Sequence, residues 1–100
     1  MNPFAGEVAL VVDRERHVAK LTLGALAELE AALQADSLIA LIQRFEEGHF
    51  TTRDVVAVIV AGLRGGGWRG QAADLMSAEI APAEAARAAA LLLARAFALP

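Results

Sequence analysis

The chain has no cysteine and no tyrosine, and among its 100 residues there is one tryptophan and a single lysine, Lys20. Without cysteine there are no disulfides, no thiolate zinc sites and no cysteine nucleophile, which fits a reducing compartment. Positive charge is also scarce. Nine basic residues face twelve acidic ones, the formal net charge is −3 and the isoelectric point is about 5.3. A nucleic-acid binder carries a basic face and a high isoelectric point, so this balance speaks against that class. Long hydrophobic runs are missing. The longest uncharged apolar run, Val55 to Leu63, is closed by Asp54 and Arg64, whereas a membrane-spanning helix needs about 20 residues. Met1 to Val12 has no basic residue and includes Glu7, so no secretory signal is expected there and the chain reads as cytoplasmic.

What is present is apolar and small. Hydrophobic residues make up 57% of the chain, and 24 residues are alanine. That fraction, with so little net charge, excludes disorder as a description of the whole. A chain of this length forms one domain, residues 1–100, and buries roughly two-thirds of its unfolded surface.

The pattern predicts an α+β fold: a β-hairpin over residues 5–23, then four or five packed helices over residues 23–98. Gly6 to Val12 is rich in β-branched residues, Asp13 to Arg16 is a polar turn, and His17 to Leu23 is the partner strand. Alternation puts His17, Ala19, Leu21 and Leu23 on one face of that strand. A first helix is expected from Leu23 to Gln34, with Thr22 as its cap, Leu21 stapled to Leu26, and Leu26, Leu29 and Leu33 on one face. A second helix starts near Asp36 or Ser37. It sets Leu38, Leu41, Ile42 and Phe45 at i, i+3, i+4 and i+7, and Gly48 suits its left-handed terminus. Thr51 and Asp54 form a capping box for a third helix, with Phe50 stapled to Val55. That helix is apolar nearly all round, which requires a central place in the core or burial against another chain. Self-association is therefore expected. Arg64 and the three glycines after it stop this helix and act as a hinge. A short helix over Gln71 to Ser77 follows. A last one runs from Pro82 to about Ala98, with Ala85, Ala89, Leu92, Ala96 and Phe97 as its packing stripe.

Candidate chemistry is sparse, and no catalytic residue, cofactor or metal is assigned. Ser37 and Ser77, the only serines, both fall near predicted helix starts, where serine caps rather than attacks. His17 and His49 lack metal-ligand spacing. Gln43 to Asp54 has the outline of an EF-hand, but Gln43 and Phe45 stand where the first calcium oxygens belong. The same stretch, extended to Leu63, has the outline of a DNA-binding helix-turn-helix, with one arginine at the start of its second helix. Arg64 to Gly70 lacks the Gly-Lys-Ser/Thr of a phosphate loop, and its two arginines around Trp68 are a weak RNA signal. It reads as a flexible connection in which Trp68 is either a lid on the core or an interface anchor.

The residues carry a family resemblance. The opening Gly6-Glu7-Val8-Ala9-Leu10, the run from Leu21 to Glu30 and the turn from Phe45 to Phe50 resemble the gene transfer agent family of small phage tail proteins. Arg53-Asp54-Val55-Val56, the stretch from Ala61 to Gly67, and Ala96-Phe97 fit the same pattern, so the resemblance spans Gly6 to Phe97. Such proteins are encoded among the tail genes of phage-like particles and prophages, mainly in alphaproteobacteria. The resemblance implies a non-enzymatic tail assembly chaperone, with the tape-measure protein and tail tube subunits as partners. A structural subunit retained in the tail is the alternative. A tape-measure protein exposes apolar helix faces until the tube encloses it, and helix-in-groove contacts suit a chaperone for it. The residues expected to supply both core and contact surface on the second helix are Leu38, Leu41, Ile42 and Phe45. On the third helix they are Val55, Val56, Ile59 and Val60, and Trp68 lies beyond.

Overall fold

A computed structural model describes residue 2, residues 5–33 and residues 37–98. The order is β1 (Val8–Val12), β2 (Glu15–Ala19), α1 (Leu23–Leu33), α2 (Leu38–Glu47), α3 (Thr52–Gly65), α4 (Ala72–Met76) and α5 (Pro82–Ala96). The class is α+β, an antiparallel hairpin followed by helices. The proposed end of the first helix at Gln34 and the alternative cap Asp36 lie outside the described residues.

The hairpin is tighter than the sequence suggests. Val12 pairs with Glu15 and Val8 with Ala19, so the turn is two residues, not four. Asp13 and Arg14 both have positive φ, 51° and 66°, as the twist-matched two-residue hairpin turn requires. Glycine or asparagine usually fills such positions, and here tertiary contacts hold them instead. The Asp13 N–H donates to the Glu79 carbonyl at 2.9 Å, and the Glu79 N–H donates to the Asp13 carboxylate at 2.7 Å. The second strand also ends four residues early. The Lys20 N–H donates to the Gly62 carbonyl at 2.8 Å, which takes the chain off the ladder and onto α3. Leu21 stays buried, but Leu23 begins α1 and is 86% exposed, so it does not share the inner face.

The helix caps behave as the residue types demand. Thr22 Oγ1 accepts from the Ala25 N–H at 3.0 Å and Ser37 Oγ from the Ala40 N–H at 3.1 Å. Gly48 closes α2 at φ 73°, a left-handed conformation that other residues adopt at a cost. Pro82 opens α5. Serine 77 departs from expectation. It ends α4 rather than starting a helix, and its hydroxyl donates to the Ala73 and Asp74 carbonyls.

Helix α3 is the centre of the molecule. It packs against α1, α5, β2 and α4, and Val58, Ile59 and Leu63 are fully buried beside Leu29, Leu41 and Leu92. Each such side chain contributes about 1.5–3 kcal/mol of transfer free energy. The apolar circumference of α3 is thus met largely within its own chain, except at Val56, Ala57 and Val60, which are half-buried. The α5 stripe includes Ala88 and Leu93 beside Ala85, Ala89 and Leu92, but it stops before Phe97, which is 42% exposed.

The glycine run is not a hinge. Helix α3 continues through Arg64 to Gly65. A Cβ on Gly65 would lie 2.0 Å from the Lys20 carbonyl oxygen, and one on Gly66 would lie 1.9 Å from that of Val18. The glycines let the end of α3 press directly on the backbone of β2.

Candidate partner-binding site

The proposed contact residues separate into three groups. Leu41 and Ile59 have no exposure and Val55 has 9%, so these three belong to the core. Leu38, Ile42 and Phe45 on α2 are half-buried, as are Val56 and Val60 on α3. Trp68 is half-buried as well. Its backbone N–H donates to the Leu63 carbonyl at 2.9 Å, and its indole lies so close to Gly70 that a Cβ there would fall 2.1 Å from Cζ2. Arg64 bonds the Gly70 carbonyl at 3.0 Å and pairs with Glu28 at 3.1 Å. The loop is pinned rather than flexible, and Trp68 is its lid over the core.

The N-terminal half of α3 is organised around Asp54, the one buried charged residue among those described. As the third helical residue it completes the capping box. Its carboxylate accepts the Thr51 N–H at 2.9 Å, while Thr51 Oγ1 accepts the Asp54 N–H at 3.1 Å. Arg44 on α2 donates to both carboxylate oxygens at 2.9 Å. Burial acts to raise the Asp54 pKa. The Arg44 hydrogen bonds, the Thr51 backbone N–H and the guanidinium charge outweigh it, and the net shift is downward. This node ties α2 to α3, and the sequence offers no sign of the Arg44 half of it. Phe50, expected to staple onto Val55, stacks on Phe45 with centroids 4.6 Å apart and planes 7° apart. The node also explains why the EF-hand outline is empty of meaning: Asp54 is engaged by an arginine.

Two grooves flank the outer side of α3. One, about 490 Å³, lies between α3, α4 and the start of α5, with Phe50, Ile59, Leu75, Met76, Ile80 and Pro82 among its walls. The other, about 890 Å³, lies between α1, α3 and α4. It has Ala32, Leu33, Val56, Ala57, Val60 and Ala61 along it, and Arg53, Arg64 and Glu28 at its margins. Thr52, Val56 and Met76 border both, and Met76 is 74% exposed. Of the residues expected from sequence, Val56 and Val60 lie in the second groove, and Val55, Val56 and Ile59 reach the first. The α2 residues Leu38, Leu41, Ile42 and Phe45 line neither. Sequence reasoning missed Met76, Ala57 and Ile80, whose spacing signals nothing until α4 and α5 are placed. A methionine within the short helix expected over Gln71 to Ser77 was the available hint, since methionine suits adaptable binding surfaces.

Reactive groups do not gather. His17 lies on β2, with its Nε2 3.9 Å from the exposed Glu15 carboxylate, while His49 follows α2 and Ser37 caps it. Among the described residues no group of three histidine, aspartate or glutamate side chains is placed to hold a metal, and no helix is long and apolar enough to cross a membrane. The helix-turn-helix outline falls on α2 and α3. The second helix is α3, whose open side carries Val56, Ala57 and Val60 between Arg53 and Arg64.

No curated protein and no solved structure matches the chain. The family described as phage tail tube protein, GTA-gp10, matches residues 5–99, nearly the whole hairpin-and-helix unit, and the chain belongs to that family of gene transfer agent and phage tail proteins.

Proposed function

We propose that the chain is a non-enzymatic tail assembly chaperone, acting in the cytoplasm of the producing cell. It holds helical segments of the tape-measure protein and passes them to tail tube subunits. The observation that carries this reading is the pair of apolar grooves along one side of α3, with Met76 exposed between them. A protein with no further partner gains nothing from leaving the flank of its central helix open. A reversible holder of amphipathic helices needs such a flank. The core residues Leu41, Val55 and Ile59 support the grooves, while Val56, Val60 and Met76 make the contact. Leu38, Ile42 and Phe45 hold α2 in place, and Trp68 holds the loop after α3.

A second reading keeps the chain in the mature tail as a structural subunit, and the family description, which speaks of a tail tube protein, favours it. Quantitative mass spectrometry of purified particles separates the two. A chaperone is absent or far below one copy per tube subunit, whereas a structural subunit is present in fixed proportion. Co-purification with the tape-measure protein tests the groove. Met76→Glu places a charge between the two grooves at an exposed position. It leaves the circular dichroism spectrum unchanged and abolishes capture. A folded Met76→Glu protein that captures as the parent does removes the grooves from the mechanism.

A further inference from the structure

Arg53 occupies an odd position. It is the second residue of α3, in the first turn, where unpaired backbone N–H groups already concentrate positive charge and a cation is disfavoured. The neighbouring Asp54 carboxylate is taken by Arg44 and Thr51. Arg44, Arg64, Arg87 and Arg95 each bond a carboxylate or a carbonyl. Arg53 is exposed and its side chain, like those of Arg14, Arg16 and Arg69, has no hydrogen bond or ion pair among the described residues, so the fold draws no electrostatic benefit from it. It stands instead at one end of the groove between α1 and α3. At the other end Arg64 is neutralised by Glu28 at 3.1 Å. The groove is therefore electrically one-ended. From Arg53 to Arg64 is roughly 16 Å along the helix, about three turns, at 1.5 Å per residue. Its floor carries Ala32, Ala57 and Ala61, small enough for a helix backbone to approach closely.

We infer that this groove seats an amphipathic α-helix of about three turns from a partner protein. That helix carries Asp or Glu against Arg53 and small residues over the alanine floor. The inference rests on the reading of the groove as the chaperone's partner site and adds its polarity and sequence requirement. The opposed charges set the register of the bound helix, while apolar contact supplies most of the affinity.

The test uses the full chain and the tape-measure protein encoded with it, by co-purification and by titration at 50 and 300 mM salt. Arg53→Glu replaces the cation with a residue that suits the first turn, so the fold is retained by circular dichroism. It weakens binding at least tenfold at low salt. Reversing the acid in the bound segment, located by cross-linking, restores binding to Arg53→Glu and not to the parent. Loss of binding in Met76→Glu with parental binding in Arg53→Glu overturns this inference and leaves the groove reading intact. Parental binding by both variants, or no capture by the parent, overturns the groove reading itself. A doubled mass in light scattering that Arg53→Glu abolishes makes a second copy of the chain the occupant and overturns the inference.

Discussion

The two ends of α3 are built on opposite principles. At its C-terminal end Gly62, Gly65 and Gly66 face Leu92, Lys20 and Val18 with no space for a Cβ, and the hairpin is pressed onto the helix. At its N-terminal end an ion-pair node anchors α2 on one side, while two grooves remain open on the other. One helix thus serves as a sealed core element on its inner side and as the floor of an apolar trough on its outer side. The difference teaches that apolar surplus in a sequence does not by itself mark a binding face. Much of it here is used in close packing, and only one side of α3, from Thr52 to Arg64, borders open space.

Four substitutions break or sharpen this contrast. The largest effect is expected from Ile59→Asp, which places an unpaired carboxylate in the sealed core and costs more than about 4 kcal/mol. It gives an unfolded far-ultraviolet spectrum, so any loss of partner capture in it reports stability alone. Gly66→Ala is next. The added methyl meets backbone rather than a movable side chain, so a loss of about 2–3 kcal/mol is expected, read as a melting temperature lower by roughly 8–20 °C. A neutral Gly66→Ala would show that the end of α3 is not sealed.

Asp54→Asn tests the node and is expected to cost about 1.5–3 kcal/mol in urea titration, the range for hydrogen bonds to a charged group. The pH dependence has a definite sign. The folded pKa of Asp54 lies below its ordinary value of 3.8, so the node contributes fully above that value. Its contribution is lost as pH falls from there through the folded pKa. The parent therefore loses stability below about pH 4, and Asp54→Asn has a flatter profile in that window. The smallest stability effect belongs to Met76→Glu, within about 0.5 kcal/mol, in the variant expected to lose the most binding. A large destabilisation in Met76→Glu would mean that the grooves are part of the core after all.

Local chemistry was legible wherever one residue type answers one backbone need. Thr22, Ser37 and Thr51 cap helices, Gly48 ends one and Pro82 begins another, because unpaired N–H groups and left-handed termini are satisfied within a few residues. The two-residue turn at Asp13-Arg14 was hidden because Glu79, 66 residues away, holds it. The Arg44–Asp54 pair escaped because a ten-residue separation across a turn has no periodic signature. The candidate site was half legible. Val56 and Val60 stood in the expected set, but Met76 entered it only when α4 came to rest against α3.

The amino-acid order alone settled the class of fold, the caps at Thr22, Ser37 and Thr51, and the placing of α3 as a candidate centre. Those follow from short-range hydrogen bonding and hydrophobic period, which act between near neighbours. Which apolar residues are sealed and which stay open was decided by tertiary packing. Leu41 and Ile42 are adjacent on one amphipathic helix, yet the first is fully buried and the second half-buried. Burial depends on what arrives from elsewhere in the chain, and no local pattern encodes that arrival.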